Sequence, residues 1–202
     1  VALGDDYITA ADLRTRLGVT VGTEDDILEA AATAASRAVE THCRRQFNLA
    51  DTATPRRYRP DTGTLLTVDD IATTTGLLVE VDNDGDGEFE TTWSAADYEL
   101  EPLDGVVDGV EGWPFWTLRA VGSRRWPCSD RATVRVTAQW GWQAVPAPVV
   151  EATKIVASEL YKLKDAPLGV AGFGDFGVVR VRENPMAATK LAPYVRDAIL
   201  VA

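Results

Sequence analysis

Histidine is nearly absent from this chain. His42 is the only one, so a histidine-rich metal site or a Ser-His-Asp triad has little to draw on, and a surface or helix-end role is the simpler expectation. Cysteine is scarce too. Cys43 falls in a helical pattern and Cys128 in a Trp-Pro-Cys-Ser loop; two such residues make no disulfide framework and read as free thiols of a reducing compartment. Positive charge is short, with 20 Lys and Arg against 31 Asp and Glu and a net charge of −11. A protein that grips nucleic acid by neutralising phosphates needs a basic face, whereas an acidic surface repels phosphate. No apolar run is long enough to span a bilayer. The opening Val-Ala-Leu-Gly-Asp-Asp lacks the basic start and apolar core of a signal peptide, which favours the cytoplasm.

What is present is organised around residues 140–163. Val134, Val136 and Ala138 alternate with polar residues, as in a half-buried strand. Trp140-Gly141-Trp142, Pro146 and Pro148 follow, ending the strand. Val149, Ala152, Val156, Leu160 and Leu163 then recur at three- and four-residue steps, predicting a helix with Pro148 in its first turn. A strand hands the chain to a helix through an aromatic and proline joint.

Upstream, Thr9 with Asp12 predicts a capped helix over 7–17 that stops at Gly18. Thr-Glu-Asp-Asp at 23–26 starts a second, running to about Phe47, with Ile27, Leu28, Ala31, Ala35, Ala38, Val39 and Phe47 as its apolar set. Its alanines allow close approach of a partner helix, and the helix from Pro148 is the expected partner. Residues 48–63 read as a linker. Within it, Pro-Arg-Arg-Tyr-Arg-Pro at 55–60 is the one concentrated basic patch, either a contact for nucleic acid or an acidic partner, or an edge strand whose charges block edge-to-edge pairing. From 64 to 139 the period is two: 65–68, 77–81, 98–101, 115–118 and 133–139 read as strands of one small antiparallel sheet. The six tryptophans, Trp93 to Trp142, read as core and joint filler with indole N–H groups toward the polar rim. Downstream, 168–177 is glycine-rich, Val178 to Arg182 alternates, Asn184-Pro185 opens a short helix, and Val195 to Ala202 resumes as helix.

The chain therefore reads as an α+β protein, a helical bundle with an inserted antiparallel β-sheet subdomain. The expected division is 1–54 (N-terminal helices), 55–142 (β-rich insert) and 143–202 (C-terminal helices and an extended loop completing the bundle).

The candidate chemistry is sparse. Asp82-Asn83-Asp84-Gly85-Asp86-Gly87 matches the first half of a calcium loop, with carboxylates at alternate positions and glycine at the sixth. The twelfth position, which should be a bidentate acid, is Trp93, and the flanks read as strands, so a polar hairpin turn is the stronger expectation. Gly-Phe-Gly-Asp-Phe-Gly at 172–177 lacks the lysine and hydroxyl of a phosphate loop and the partner motifs of a kinase. Glu99 and Glu101 share a strand side with no converging group. No catalytic set, cofactor site or metal site is expected.

Taken in series, several segments resemble the head–tail connector (adaptor, head-completion) proteins of tailed bacteriophages. They are Tyr-Ile-Thr-Ala-Ala-Asp-Leu at 7–13, Asp-Tyr-Glu-Leu-Glu-Pro at 97–102, Val-Thr-Ala-Gln-Trp-Gly-Trp-Gln-Ala-Val-Pro at 136–146, Glu-Leu-Tyr-Lys-Leu-Lys-Asp-Ala-Pro-Leu-Gly at 159–169 and Lys-Leu-Ala-Pro-Tyr-Val-Arg at 190–196. The resemblance implies a non-enzymatic homo-oligomeric ring, usually dodecameric, built on a helical bundle. It implies a place in the virion beneath the portal protein, reached by assembly in the host cytoplasm. A stopper or tail terminator would lie on the tail side, with DNA passing through the lumen without specific binding and no membrane involved. The β insert is larger than in minimal members. Because C-terminal segments of that family reach into neighbours, Arg180, Arg182, Asn184, Pro185 and Tyr194 are the expected partner interface. The competing reading is a calcium- or carbohydrate-binding β-rich module built on the tryptophan-rich sheet.

Overall fold

The computed structural model describes residues 4–20, 24–165 and 184–196. Thr23, the glycine-rich stretch at 168–177, the alternating run with Arg180 and Arg182, and 197–202 lie outside the described residues. The chain divides into a β-rich unit, Asn48–Ala144, and a helical unit, Gly4–Phe47 with the residues from Val145 onward. Helices and antiparallel sheets are thus segregated along the chain, an α+β fold with its β unit inserted in a helical one.

In the helical unit, α1 spans Ala10–Leu17. The Thr9 side chain accepts the Asp12 backbone N–H and the Asp12 carboxylate accepts that of Thr9, so two otherwise orphaned donors are satisfied reciprocally. Gly18, at φ 67°, ends the helix. Helix α2 spans Asp25–Cys43 and buries Leu28, Ala31, Ala32, Ala35, Ser36, Val39 and Cys43, a stripe at three- and four-residue steps. It stops short of the expected Phe47 because Arg44 adopts the left-handed conformation, φ 54°. Ile27, expected in the apolar set, is 42% exposed; it precedes Leu28 by one residue, about 100° around the helix. Phe47 still reaches the core, edge-on to the rings of Tyr7 and Tyr194.

Helix α3, Ala147–Lys162, begins beside Pro146 with Pro148 in its first turn, where no backbone N–H is needed. It packs against α2. Its buried face is Val149, Ala152, Thr153, Val156, Ala157 and Tyr161. The stripe drifts away from Leu160, half-buried, and Leu163, 48% exposed, because 3.6 residues per turn carries a four-residue repeat off the contact line. Helix α4, Pro185–Leu191, is capped by Asn184, continues into a 3-10 turn at Ala192–Tyr194, and packs on α3 with Ala187 and Leu191 fully buried. The expected resumption of helix at Val195 does not occur there: Val195 is extended.

The β-rich unit holds seven strands: β1 Thr54–Tyr58, β2 Leu65–Ile71, β3 Leu78–Val81, β4 Thr91–Trp93, β5 Tyr98–Glu101, β6 Phe115–Ala120 and β7 Val134–Ala138. They form two antiparallel sheets, β1-β7-β3-β4 and β2-β6-β5, rather than the single expected sheet. Each strand has an apolar side, and two sheets can cover one another's apolar faces where one sheet would leave its face in water. Leu66, Val68 and Leu118 from one sheet and Val79, Val81, Val134 and Val136 from the other belong to one buried cluster with Trp93, Trp126 and Trp140. Burying one leucine-sized side chain in such a cluster contributes about 2 kcal/mol.

The Trp-Gly-Trp joint closes this unit. Ala50 N–H donates to Trp140 O at 2.8 Å, and Trp142 N–H donates to Asn48 O at 3.3 Å. Gly141 N–H donates to Asp70 O at 2.7 Å, and the Trp142 indole N–H donates to the Asp70 carboxylate at 3.1 Å. Gly141 sits at φ +105°, and a Cβ there would lie 1.7 Å from Asn48 O. Only glycine permits this approach.

Candidate interaction surfaces

No converging set of nucleophile, base and oxyanion donor is found among the described residues, so surfaces are the places to look. Cys43 is buried, and desolvation pushes its thiol up to about 12, far from a reactive thiolate.

The acidic turn between β3 and β4 is closed from within. Asp82 is fully buried, and its two carboxylate oxygens accept the N–H groups of Gly85 at 2.7 Å and Gly87 at 2.9 Å. Burial alone would raise its pKa; these hydrogen bonds and those from Asp84 and Asp86 outweigh it and hold the group below the ordinary carboxylate range. Asp84 accepts Asp86 N–H and Asp86 accepts Glu88 N–H, while Arg131 donates to Gly85 O. One oxygen from each of Asp82, Asp84 and Asp86 falls within 4.8 Å of the others. Calcium takes six to eight oxygens, and the twelfth position, Trp93, is a buried strand residue stacked on Trp126 at 4.0 Å. The arrangement serves as a turn.

Residues 55–58 of the basic run lie on β1, an edge strand, and Arg59 and Pro60 follow it. The two-residue period sorts it. Arg56 and Tyr58 turn to one side, where Arg56 pairs with Asp69 at 2.6 Å and lies 4.5 Å over the Trp140 ring, and Tyr58 donates to Asp69 at 2.9 Å. Arg57 and Arg59 alternate with them and are exposed. Arg57 stands opposite Arg135, whose guanidinium is held by Glu80 through two bonds of 2.7 Å.

Of the C-terminal residues expected at an interface, Asn184 caps α4 by accepting Ala187 N–H at 2.9 Å and also donates to Glu159. Pro185 is exposed in the first turn, next to Met186 at 67% exposure. Tyr194 is half-buried with its ring 5.9 Å from Phe47. Two surfaces escaped sequence reading. One is the loop 102–114, whose Leu103 and Val110 are exposed at 62% and 59%. The other is the edge pair Arg57 and Arg59 as a unit separate from Arg56. The Asp108-Gly109 turn between two valines was the available signal for the first.

No family model matches the sequence, and no curated protein does. Solved structures share the fold. A chain from the "Neck of empty GTA particle computed with C6 symmetry" is similar over 97% of this chain and 93% of its own, with TM-score 0.55 and 21% identity. One from the "Neck of native GTA particle computed with C12 symmetry" covers 96% and 91%, with TM-score 0.53 and 18% identity. One from the "Virion of native gene transfer agent (GTA) particle" covers 100% and 95%, with TM-score 0.54 and 20% identity. The likeness extends over both the helical and the β-rich unit, so the inserted β unit is part of the shared fold.

Proposed function

We propose that this chain is a structural head-to-tail adaptor of a tailed phage or phage-like particle. Copies would form a ring beneath the portal, join the DNA-filled head to the tail, and line the channel through which DNA passes. The carrying observation is the likeness in fold, over 91% or more of either chain, to chains in the neck of gene transfer agent particles. The six- and twelvefold symmetries of those necks support a closed homo-oligomeric ring, a dodecamer in the simplest case. A net charge of −11 suits a lumen that DNA must traverse without adhering. In this reading the partners are the portal on one side and a stopper or tail terminator on the other, and the ring is assembled in the host cytoplasm and retained in the virion.

The C-terminal segment would carry the contact with the portal or the nearest neighbour, through Arg180, Arg182, Asn184, Pro185 and Tyr194. Exposed Pro185 and Met186 beside the Asn184 cap support that placement. Removing 185–202 is a poor test, because it takes away Ala187 and Leu191, both fully buried in the bundle. The better one changes Arg180→Glu and Arg182→Glu together. Particles lacking the chain are expected to accumulate as DNA-filled heads without tails in electron micrographs. The wild-type chain should restore tails and the double variant should not, with its melting temperature unchanged. Tailed particles formed without the chain would sink the adaptor reading. Normal attachment by the double variant would sink the interface alone.

A calcium- or carbohydrate-binding module remains the competing reading. Only the grouping of Asp82, Asp84 and Asp86 favours it, and both Asp82 oxygens are already held by backbone N–H groups.

A further inference from the structure

The loop from 102 to 114, between β5 and β6, presents apolar side chains to water on a rigid frame. Gly105 N–H donates to Pro102 O and Trp113 N–H to Gly105 O, each at 3.0 Å, and Val107 and Val110 bond in both directions at 3.0 and 2.9 Å. Asp108 and Gly109 form the tip at φ 51° and 78°, the geometry of a two-residue hairpin turn. Asp104 is also left-handed, at φ 57°, and a Cβ on Gly105 would lie 2.8 Å from Trp113 O. A frame so determined holds Leu103 and Val110 outward at little further entropic cost on binding.

The loop has a charge of one sign. Asp104, Asp108 and Glu111 lie between 102 and 114, with no Lys or Arg. Its complement is a surface with exposed cations beside small apolar side chains, and the same chain carries one. Arg57, on edge strand β1, and Arg59, just past its end, stand exposed between Pro55 and Pro60. Neither has an ion pair among the described residues, and the facing Arg135 is taken by Glu80. The two surfaces lie apart on one protomer. The loop enters β6 at Phe115 beside Ile71, which bridges Trp140 at one end of β7, whereas Arg57 faces Arg135 toward the other end. The five residue steps from Arg135 to Trp140 span roughly 17 Å. Two different, complementary surfaces on one chain make a head-to-tail contact, which closes into a ring when the rotation per copy permits.

We propose that the 102–114 loop of one copy docks on the β1 edge of the next, with Leu103 and Val110 against the prolines and Asp104, Asp108 and Glu111 facing Arg57 and Arg59. This rests on the ring reading above and assigns the β unit a part in building the ring.

The test uses the full chain with Cys128→Ser, so that buried Cys43 is the only native thiol. Val110→Cys protein mixed with Arg59→Cys protein and oxidised is expected to give a disulfide-linked dimer of the two, and neither alone should. Arg57→Glu with Arg59→Glu should weaken self-association about tenfold or more at low salt with an unchanged melting curve. Adding Asp108→Asn and Glu111→Arg should restore it. Rings seen by native mass spectrometry, with no cross-link and no effect of charge reversal, overturn the docking and leave the ring. Cross-links without a closed ring keep the docking and overturn the ring; neither cross-links nor rings overturns both. Duplex DNA held by the wild type and released by the Arg57→Glu, Arg59→Glu variant, with association unaltered, assigns the arginines to nucleic acid and overturns the docking.

Discussion

At the scale of single residues, Gly141 is the most constrained position described. Its φ of +105° and the 1.7 Å that would separate a Cβ from Asn48 O both exclude a side chain. Gly141→Ala must move the 48–50 segment off the 140–142 segment, breaking the bonds of Ala50 and Trp142. The expected loss is about 4 kcal/mol or more, the range reached when a buried backbone contact is lost with strain added. Chemical denaturation checks it; a loss under about 1 kcal/mol would show that the joint yields easily. Thr9 is the mild counterpart. Thr9→Ala removes one reciprocal cap and should cost about 1 kcal/mol by the same measurement. The cap was legible in sequence because both partners lie within four residues. The demand on Gly141 was not, because Asn48 is far away along the chain.

At the scale of elements, the acidic turn separates two roles for one residue type. Asp82 is buried and holds two backbone N–H groups, whereas Asp84 is exposed and accepts one. Asp82→Ala should cost about 2 kcal/mol, since the N–H groups of half-buried Gly85 and exposed Gly87 lose a charged acceptor, and Asp84→Ala under about 1 kcal/mol. Calcium should leave the melting temperature of wild type and both variants unchanged. A calcium-dependent rise in the wild type, lost in Asp84→Ala, would revive the metal reading. The motif alone left a turn and a half-built metal loop both open; the two occupied Asp82 oxygens favour the turn. In α2 and α3 the helical period identified the elements and most of the buried face, and it misplaced Ile27 and Leu163. Period locates a stripe to within about one residue, and the neighbouring helix decides which edge of it is covered.

At the scale of the whole molecule, ionisation should bound stability on both sides. Glu80 is held below its ordinary 4.5 by its hydrogen bonds from Arg135, and Asp97 below 3.8 by those from Arg124 and Ser94. Asp12 is lowered by the Thr9 side chain and backbone, and Glu24 by Lys164 and Tyr161. In each case the unfolded chain takes up its proton first as the pH falls. This stabilisation is complete above the unfolded values and is lost as the pH drops through the lower folded ones. Cys43 acts in the opposite direction. Its thiol ionises at an ordinary 9.0 when unfolded and about 12 when buried, so stability declines as the pH rises through that interval. Melting temperature against pH should show a plateau between roughly pH 5 and 8.5 and fall on either side. A rise in stability on acidification from pH 5 to 3 would contradict this assignment.

The sequence by itself determined the class of the fold and the kind of most described segments, though it placed a helix at Val195, which is extended. Helix caps, the proline start of α3, the alternation in the strands and the period switch after Trp142 are written within a few residues of one another, and local sterics and hydrogen bonding act over that range. Tertiary structure alone decided how the strands pair. β7, last in sequence, lies between β1 and β3, and seven strands become two sheets because apolar faces must cover one another. It alone decided which arginines of the 55–60 run are occupied and which stand exposed without an ion pair among the described residues, and that a short loop carries Leu103 and Val110 into water. These are outcomes of register and burial between segments far apart in the chain. No local period encodes them, because they depend on which distant face each segment meets.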